Sequence, residues 1–351
     1  MTDHGPTRMR RETGQIPATI ERVLAAHAEV DAVAGAIRRA APRWVMIAAR
    51  GTSDHAAVYA QYLIETRLGL PTGLTKPSVT TLYGARLAWD GGLLLAISQS
   101  GRSPDIVAVA EAARAGGALT VAITNDDGSP LAGAAEHALR CHAGRELAVP
   151  ATKTYVAELA VVAALVGTLE PGSSLLHQLA GLPTALRRTL RLAGGWLEGS
   201  GAEAVASLAA ANRALVVSRG YNLATALELA LKLKETCALF AEPYSTADFA
   251  HGPVILAGPG VPALGIRPDG PIGADVDRAM ELIRARGGTA AVIGAAEVAD
   301  RDGALAVPAI GEELSPLVFA VAGQLVVEAV ARRRGLDPDA PAGLGKVTLT
   351  R

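Results

Sequence analysis

Leu93-Leu94-Leu95-Ala96-Ile97-Ser98-Gln99-Ser100-Gly101-Arg102-Ser103-Pro104-Asp105 runs from an apolar segment through a polar loop into a helix start. Its five leading apolar residues read as a short strand buried on both faces. Three hydroxyls, an amide and a glycine then fall within six positions. Ser103 suits an N-cap, Pro104 the first helical position and Asp105 the first turn. A strand that ends in a polar loop and reopens as a helix aims the helix N-terminus back at that loop. Backbone N–H groups, the positive end of the helix dipole and serine hydroxyls then converge, which suits a phosphate or another small anion. A single serine would fit an ordinary capped turn. Ser98, Ser100 and Ser103 together with Gln99 and Gly101 favour the anion.

Residues 1–14 are polar and read as loose at the start. Residues 17–41 read as helix, in one or two pieces. Trp44–Ala49 is a buried-type strand, Arg50-Gly51-Thr52-Ser53-Asp54 a turn carrying hydroxyls, and 56–68 a helix. A brief strand at 70–74 precedes the serine loop. After it come a helix to Ala115, a Gly116-Gly117 stop, a strand at 118–124 and a short strand at 138–142. Strands alternating with helices predict right-handed βαβ units and a parallel, doubly wound sheet. Residues 151–212 read as mostly helical.

The pattern then starts again. A strand at 214–218 leads into Arg219-Gly220-Tyr221-Asn222, a long helix is expected over 223–241, and strands follow at 261–266 and 290–293 around a helix at 275–286. Arg50-Gly51 answers to Arg219-Gly220, and Gly116-Gly117 to Gly287-Gly288. An internal duplication of one α/β unit is the simplest explanation. The second copy has Arg267-Pro268-Asp269-Gly270 in place of the serine loop, so it is not expected to hold an anion the same way.

The second copy has its own feature. In Leu227-Glu228-Leu229-Ala230-Leu231-Lys232-Leu233-Lys234-Glu235, the residues Glu228, Lys232 and Glu235 are spaced by four and three and share one helix face. An exposed Glu–Lys pair is common and weak. The flanking positions are almost all apolar, however, so the helix reads as mostly buried, and buried charges are paired, functional or both. Phe249-Ala250-His251-Gly252-Pro253 follows. A histidine held before Gly-Pro is an acid–base candidate, although a lone histidine is more often structural. The tail, Pro341-Ala342-Gly343-Leu344-Gly345-Lys346-Val347-Thr348, reads from composition as a frayed end.

The bulk numbers set bounds. The chain has 351 residues, which suits two domains, and 50% of them are hydrophobic against 3% aromatic. A formal net charge of −1 gives no electrostatic case for nucleic acid or an anionic membrane. The two cysteines, Cys141 and Cys237, lack metal-type spacing, so no disulfide framework is expected and a cytoplasmic setting is natural. Residues 1–11 have no apolar core of a signal peptide, and the run 157–166 is too short to span a bilayer.

Taken in order, these motifs resemble the SIS (sugar isomerase) family. Within it the chain is similar to the isomerase half of glucosamine-6-phosphate synthase and to stand-alone SIS-type glucosamine-6-phosphate deaminases. The resemblance rests on Gly51-Thr52-Ser53, Ser98-Gln99-Ser100-Gly101, Val149-Pro150-Ala151-Thr152-Lys153, Ala226-Leu227-Glu228 through Glu235, His251-Gly252-Pro253 and Lys346-Val347-Thr348. Met9, Glu12 and Pro17 also fit the opening of the stand-alone group.

The resemblance implies an α/β fold of two tandem three-layer αβα SIS domains, each with a five-stranded parallel, flavodoxin-like sheet. The expected division is a helical extension over 1–41, a phosphate-binding domain over 42–170 and a helical connection over 171–212. An acid–base domain over 213–335 and a tail over 336–351 that closes over the site complete it. Ser98, Gln99, Ser100 and Ser103 are then expected to bind a sugar phosphate, with Thr52, Ser53, Ala151 and Glu228 also contacting substrate. Glu235 matches the base that moves a proton between C1 and C2, Lys232 stands beside it, and His251 opens the ring. His251 is expected to come from the neighbouring subunit of a homodimer. Lys346 matches a lysine that forms a Schiff base with the keto sugar, which turns the frayed tail into a functional one. Neither a cofactor nor a metal is called for.

Some positions depart from the synthase pattern. Arg50 stands where the synthase has cysteine, Ala151 where it has serine, and Gly343-Leu344-Gly345-Lys346 replaces Asn-Leu-Ala-Lys. No glutaminase domain is expected ahead of Pro17. The expected reaction is therefore isomerising deamination: glucosamine 6-phosphate and water give fructose 6-phosphate and ammonia. The alternatives are an aldose–ketose isomerase, a deaminase or deglycase for another amino-sugar or ketosamine 6-phosphate, and a non-catalytic sugar-phosphate-binding regulator.

Overall fold

Strand-forming runs of small and branched apolar residues recur along the chain, and all of them pair in parallel. The structure, a computed structural model, describes residues 5–299, 301 and 303–346. Helices α1 (Arg8–Gly14), α2 (Ile16–Ala25) and α3 (His27–Ala40) open the chain. Then come β1 (Trp44–Ala48), α4 (Thr52–Leu68), β2 (Thr72–Leu74), α5 (Pro77–Thr81) and β3 (Gly92–Ile97). The first half continues through α6 (Pro104–Ala115), β4 (Leu119–Thr124), α7 (Pro130–Ala134) and β5 (His137–Arg140). Three helices follow, α8 (Lys153–Leu169), α9 (Leu175–Glu198) and α10 (Ala202–Ala210). The second half runs β6 (Arg213–Ser218), α11 (Leu223–Cys237), β7 (Phe240–Ser245), α12 (Thr246–Ala250), β8 (Ala263–Arg267) and α13 (Pro271–Ala285). It ends with β9 (Ala290–Gly294), β10 (Leu305–Ala306) and α14 (Ser315–Arg333).

One five-stranded sheet has the order β2-β1-β3-β4-β5 and the other β10-β9-β8-β6-β7. Numbered along the chain, each reads 2-1-3-4-5 across the sheet, which is the duplication expected from the paired Arg-Gly and Gly-Gly turns. The matched glycines share a backbone state: Gly51 and Gly220 have φ of 56° and 62°, and Gly117 and Gly287 have 90° and 85°.

The chain forms two compact units. The first comprises Ala18–Glu146 and Lys153–Leu182. The second comprises Leu147–Thr152, Pro183–Lys346 and the segment ending at Pro17. The expected 1–41 extension thus divides at Pro17. The expected 171–212 connection divides at Pro183, a residue inside α9 that has no N–H to continue the helical ladder. Val347, Thr348 and the remainder of the expected 336–351 tail lie outside the described residues.

Every residue of β3 is buried, as its unbroken apolar run requires. In the first unit β3 and its neighbours pack Leu94, Ala96 and Ala122 against Ile106, Val109 and Ala113 of α6. Alanines at these positions let helix and sheet approach closely.

Three expectations need correction. Within the polar 1–14 segment, Arg8–Gly14 is not loose, because α1 forms there with Met9, Glu12 and Thr13 buried. The helix expected over 223–241 stops at Cys237, and Phe240–Ser245 is a strand. The stop is made by Ala238 in the left-handed region at φ 47°, with no glycine to announce it. The strand carries Pro243, which cannot donate to a ladder, and β7 accordingly lies at the sheet edge. Finally, Ser103 occupies the N-cap position of α6, but its hydroxyl makes no capping hydrogen bond.

Helix α14 is a core element that the motif reading passed over. Residues 315–328 are all buried, and the helix packs on α11. A Cβ at Gly323 would stand 2.3 Å from Leu229 Cδ1, so glycine is what lets the two helices touch. The segment Glu312–Arg333 is long and apolar enough to cross a membrane, yet 94% of its most apolar window is buried inside the protein. Each fully buried Leu or Val there contributes about 1.5–3 kcal/mol relative to exposure.

Candidate active site

In the first unit, β1 and β3 are adjacent while the chain leaves them in opposite directions, to β2 and to β4. This is the topological switch point of the sheet, where loops part and leave a crevice at the carboxyl ends of the strands. The two loops that emerge there are Arg50–Ser53 and Ser98–Ser103. The helices they open, α4 and α6, present their N-termini to the same edge.

The 98–103 loop is fastened from behind. Ser98 N donates to Ile123 O at 3.0 Å, Asn125 N to Gln99 O at 3.1 Å, and Leu131 N to Gly101 O at 3.0 Å. Gly101 has φ 60°, and a Cβ there would meet Ser129 Oγ at 2.2 Å. Only glycine satisfies both the backbone and the space. Among the described residues, the hydroxyls of Ser98 and Ser103 and the side-chain amide of Gln99 make no hydrogen bond, which leaves them as donors for a ligand. The Ser100 hydroxyl accepts from Arg102 N at 3.3 Å. Ser53 Oγ donates to the buried Glu158 at 2.9 Å, so Ser53 offers a ligand only its lone pairs unless that bond breaks. Arg50, one of the departures, gives its Nε to Asp105 Oδ2 at 2.8 Å. The bond ties the first loop to the first turn of α6 and adds a half-exposed guanidinium at this edge.

In the second unit the corresponding loop is closed by its own charges. Arg267 is buried and paired with Glu297 at 2.6 Å and with Asp277 at 3.1 Å. The acidic partners occupy the guanidinium of the arginine on this loop.

Helix α11 carries the second candidate group. It packs against β6, β7 and α14. Glu228 and Lys232 are buried, while the Glu235 side chain is 25% exposed. Lys232 Nζ lies 2.7 Å from Glu235 Oε2 and 3.3 Å from Glu228 Oε1. Burial pushes the Lys232 ammonium down, but the charges of Glu228 and Glu235 outweigh burial and hold it above its ordinary value. Lys232 is thus a fixed cation that orients one exposed carboxylate. Glu235 presents a carboxylate to solvent from an otherwise buried helix face, which is the geometry a proton-transfer base requires.

His251 caps α12, where its N–H donates to Asp248 O at 3.1 Å. Its ring is exposed and has no hydrogen-bond partner among the described residues. Lys346 Nζ donates to Ala148 O at 2.8 Å. Ala148 and Ala151 belong to the Leu147–Thr152 segment, with Ala151 half-buried and Thr152 O accepting from Gln324 Nε2 at 3.2 Å. The structure therefore joins Glu228, Lys232 and Glu235 in one cluster. No hydrogen bond or ion pair joins His251 to that cluster among the described residues. Both cysteines are buried, and burial pushes the Cys237 thiol up to about 11 and Cys141 also well up, so neither is a nucleophile near neutral pH.

Motif reading missed several supporting residues. Glu158 sits inside a helix whose apolar surroundings already marked it as a buried charge. Gln324 and Glu328 lie on α14, whose Ser315-Pro316 start and apolar run were legible signals.

The SIS domain family model matches residues 40–167 and 207–302. The chain belongs to the SIS domain family. A glutamine–fructose-6-phosphate aminotransferase (isomerizing) from Methanothermobacter thermautotrophicus is 35% identical over 346 residues, covering 96% of this chain and 56% of that protein. A similar Zymomonas mobilis aminotransferase is 34% identical over 86% of this chain and 51% of its own length. The chain thus spans about half the length of the curated relatives it matches. Among solved structures, a Silicibacter pomeroyi protein provisionally assigned as a phosphosugar isomerase is 38% identical with a TM-score of 0.85, covering 95% of this chain and all of that one.

Proposed function

We propose that this SIS protein acts on a phosphorylated six-carbon sugar and moves a proton between C1 and C2, with glucosamine 6-phosphate deamination as the specific reaction. The observation that carries the reading is the Glu228–Lys232–Glu235 cluster: two buried charges orient one solvent-facing carboxylate. The unbonded hydroxyls of the 98–103 loop and the α6 N-terminus support phosphate binding. The names of the relatives, isomerising aminotransferases and a provisional phosphosugar isomerase, agree with the substrate class.

In this reading Ser98, Gln99, Ser100 and Ser103 hold the phosphate, with Thr52, Ser53 and Ala151 contacting the sugar. His251, supplied by a second copy of the chain in a homodimer, shuttles the proton that opens the ring. Glu235 removes the proton from C2 and returns it to C1, giving the imine of fructose 6-phosphate. Water adds to that imine, the C–N bond breaks, and ammonia leaves. Lys232 and Lys346 supply positive charge where electron density develops on the enolamine.

A second reading is favoured by the Silicibacter relative: aldose–ketose isomerisation with no nitrogen released. A panel of amino-sugar and plain hexose 6-phosphates separates the readings. Ammonia release from glucosamine 6-phosphate, lost in Glu235→Gln, is the expected result. Exchange of C1/C2 hydrogen with solvent but no ammonia from any amino sugar supports the plain isomerase. Binding of fructose 6-phosphate with no exchange would leave a sugar-phosphate-binding regulator.

A further inference from the structure

Glu12 is a buried carboxylate on α1 that the proposed chemistry does not use. Its Oε1 accepts from Leu147 N, and its Oε2 accepts from Ala148 N at 3.2 Å. These two amides are successive and lie outside any helix or strand, so no backbone ladder holds them. The next amide, Val149 N, donates to Asp339 O at 2.9 Å. The Asp339 carboxylate in turn accepts from Arg8 N and Met9 N, both at 2.7 Å, at the start of α1. The circuit closes at the other side of the same peptide: Ala148 O accepts from Lys346 Nζ at 2.8 Å. All of these residues belong to the second unit.

We infer that Glu12 is a positioning residue for Lys346. The inference rests on the proposed role of Lys346 and extends it to the N-terminal helix. The physical argument is the rigidity of the peptide plane. Ala148 C=O and Val149 N–H share one plane, so fixing one end fixes the other. Asp339 holds the N–H end of that plane, and Glu12 holds the preceding plane through Ala148 N. The carbonyl that receives the Lys346 ammonium therefore points in one direction. Charge-assisted bonds from two amides to one carboxylate are among the stronger contacts available, and losing them strands two N–H groups. The helix that carries Glu12 is itself pinned elsewhere, through Thr13 Oγ1 to Gln324 Oε1 at 3.2 Å. α1 therefore stays docked by contacts independent of Glu12, and Glu12 acts as the arm that reaches the strap.

The test reads Lys346 directly. Lysines are reductively methylated with formaldehyde and cyanoborohydride, and the rate at each lysine is followed by peptide mass spectrometry. Lys234, exposed and on another helix, is the internal reference. Glu12→Ala is expected to speed methylation of Lys346 about tenfold relative to Lys234, and Glu12→Gln, which keeps one acceptor, about threefold. Thr13→Val weakens the helix docking without touching the strap and is expected to leave the ratio unchanged. Equal ratios in wild type and Glu12→Gln overturn the inference, as does an equal rise in Thr13→Val. These outcomes do not depend on whether any sugar is deaminated. Conversely, a wild-type protein that releases no ammonia while showing the Glu12-dependent shift overturns the proposed reaction and leaves the positioning intact. With an active wild type, Glu12→Gln is expected to lower kcat with little change in KM.

Discussion

The Lys232 ammonium stands 2.7 Å from the Glu235 carboxylate, less than one turn away along the same helix. The lysine is buried and the glutamate faces solvent, so one residue holds the other in place from the protein side.

Glu235→Gln keeps the shape of that arrangement and removes the proposed base. We expect ammonia release and C1/C2 exchange to fall by about 10²–10⁴-fold, the usual share of a general base. Binding of fructose 6-phosphate, followed by calorimetry, is expected to stay near wild type. Unchanged exchange in deuterated water would remove Glu235 from the reaction.

Lys232→Met leaves Glu228 buried without its cation, at a cost of about 3–5 kcal/mol in urea unfolding. Adding Glu228→Gln is expected to restore much of it. The folded-state pKa of Lys232 is raised, so its contribution is complete below the ordinary lysine value and is lost as pH rises through the folded value. The wild-type minus Lys232→Met difference is therefore expected to be flat between about pH 6 and 9 and to shrink only in alkali.

Gly101→Ala meets two obstacles at one position, a left-handed backbone and Ser129 Oγ at 2.2 Å. Unfolding is expected to become easier by about 1–3 kcal/mol. The loop displacement should also weaken fructose 6-phosphate binding. A variant that binds as well as wild type would show that the loop is not the anchor.

Ser98→Ala removes a hydroxyl that has no partner among the described residues, so the fold has little to lose. Against a phosphate, one charge-assisted hydrogen bond corresponds to about 10–100-fold in affinity. Titration with fructose 6-phosphate and with inorganic phosphate checks this, alongside an unchanged melting temperature.

The acid limb of stability is expected to involve Glu29. The hydrogen bond from Arg140 holds its carboxyl below the ordinary carboxylate value against the opposing effect of burial, with His142 adding to it. A depressed folded pKa means stabilisation that is present above the unfolded value and lost as pH falls through the folded one. Glu29→Gln should therefore differ from wild type at neutral pH and converge with it in acid.

Much of the fold was legible because its signals are local. A run of five apolar residues, Ser103-Pro104, and paired Gly-Gly stops are statements about backbone and burial that neighbours in the chain enforce. The duplication, the parallel sheets and the serine loop all followed from them. β7 and the end of α11 did not, because Pro243 reads against a strand until its place at a sheet edge is known, and Ala238 carries no sign that it will turn left-handed. The polar composition of residues 8–14 says nothing of the partners that bury Met9 and Glu12.

The candidate residues divide along the same line. Spacing alone placed Glu228, Lys232 and Glu235 on one face, since a helix brings i, i+4 and i+7 together wherever it packs. Glycine at 101 and hydroxyls at 98, 100 and 103 are likewise the sequence basis of the proposed anion loop, because backbone conformation and donor type are written residue by residue. Which carboxylate of the α11 cluster faces solvent depended on how α14 and β7 cover that helix. The link from Glu12 through Ala148 to Lys346 spans more than three hundred residues of chain. A contact of that kind has no periodicity to betray it, because it exists only once hydrophobic burial has brought α1, the 147–149 strap and the tail to one place.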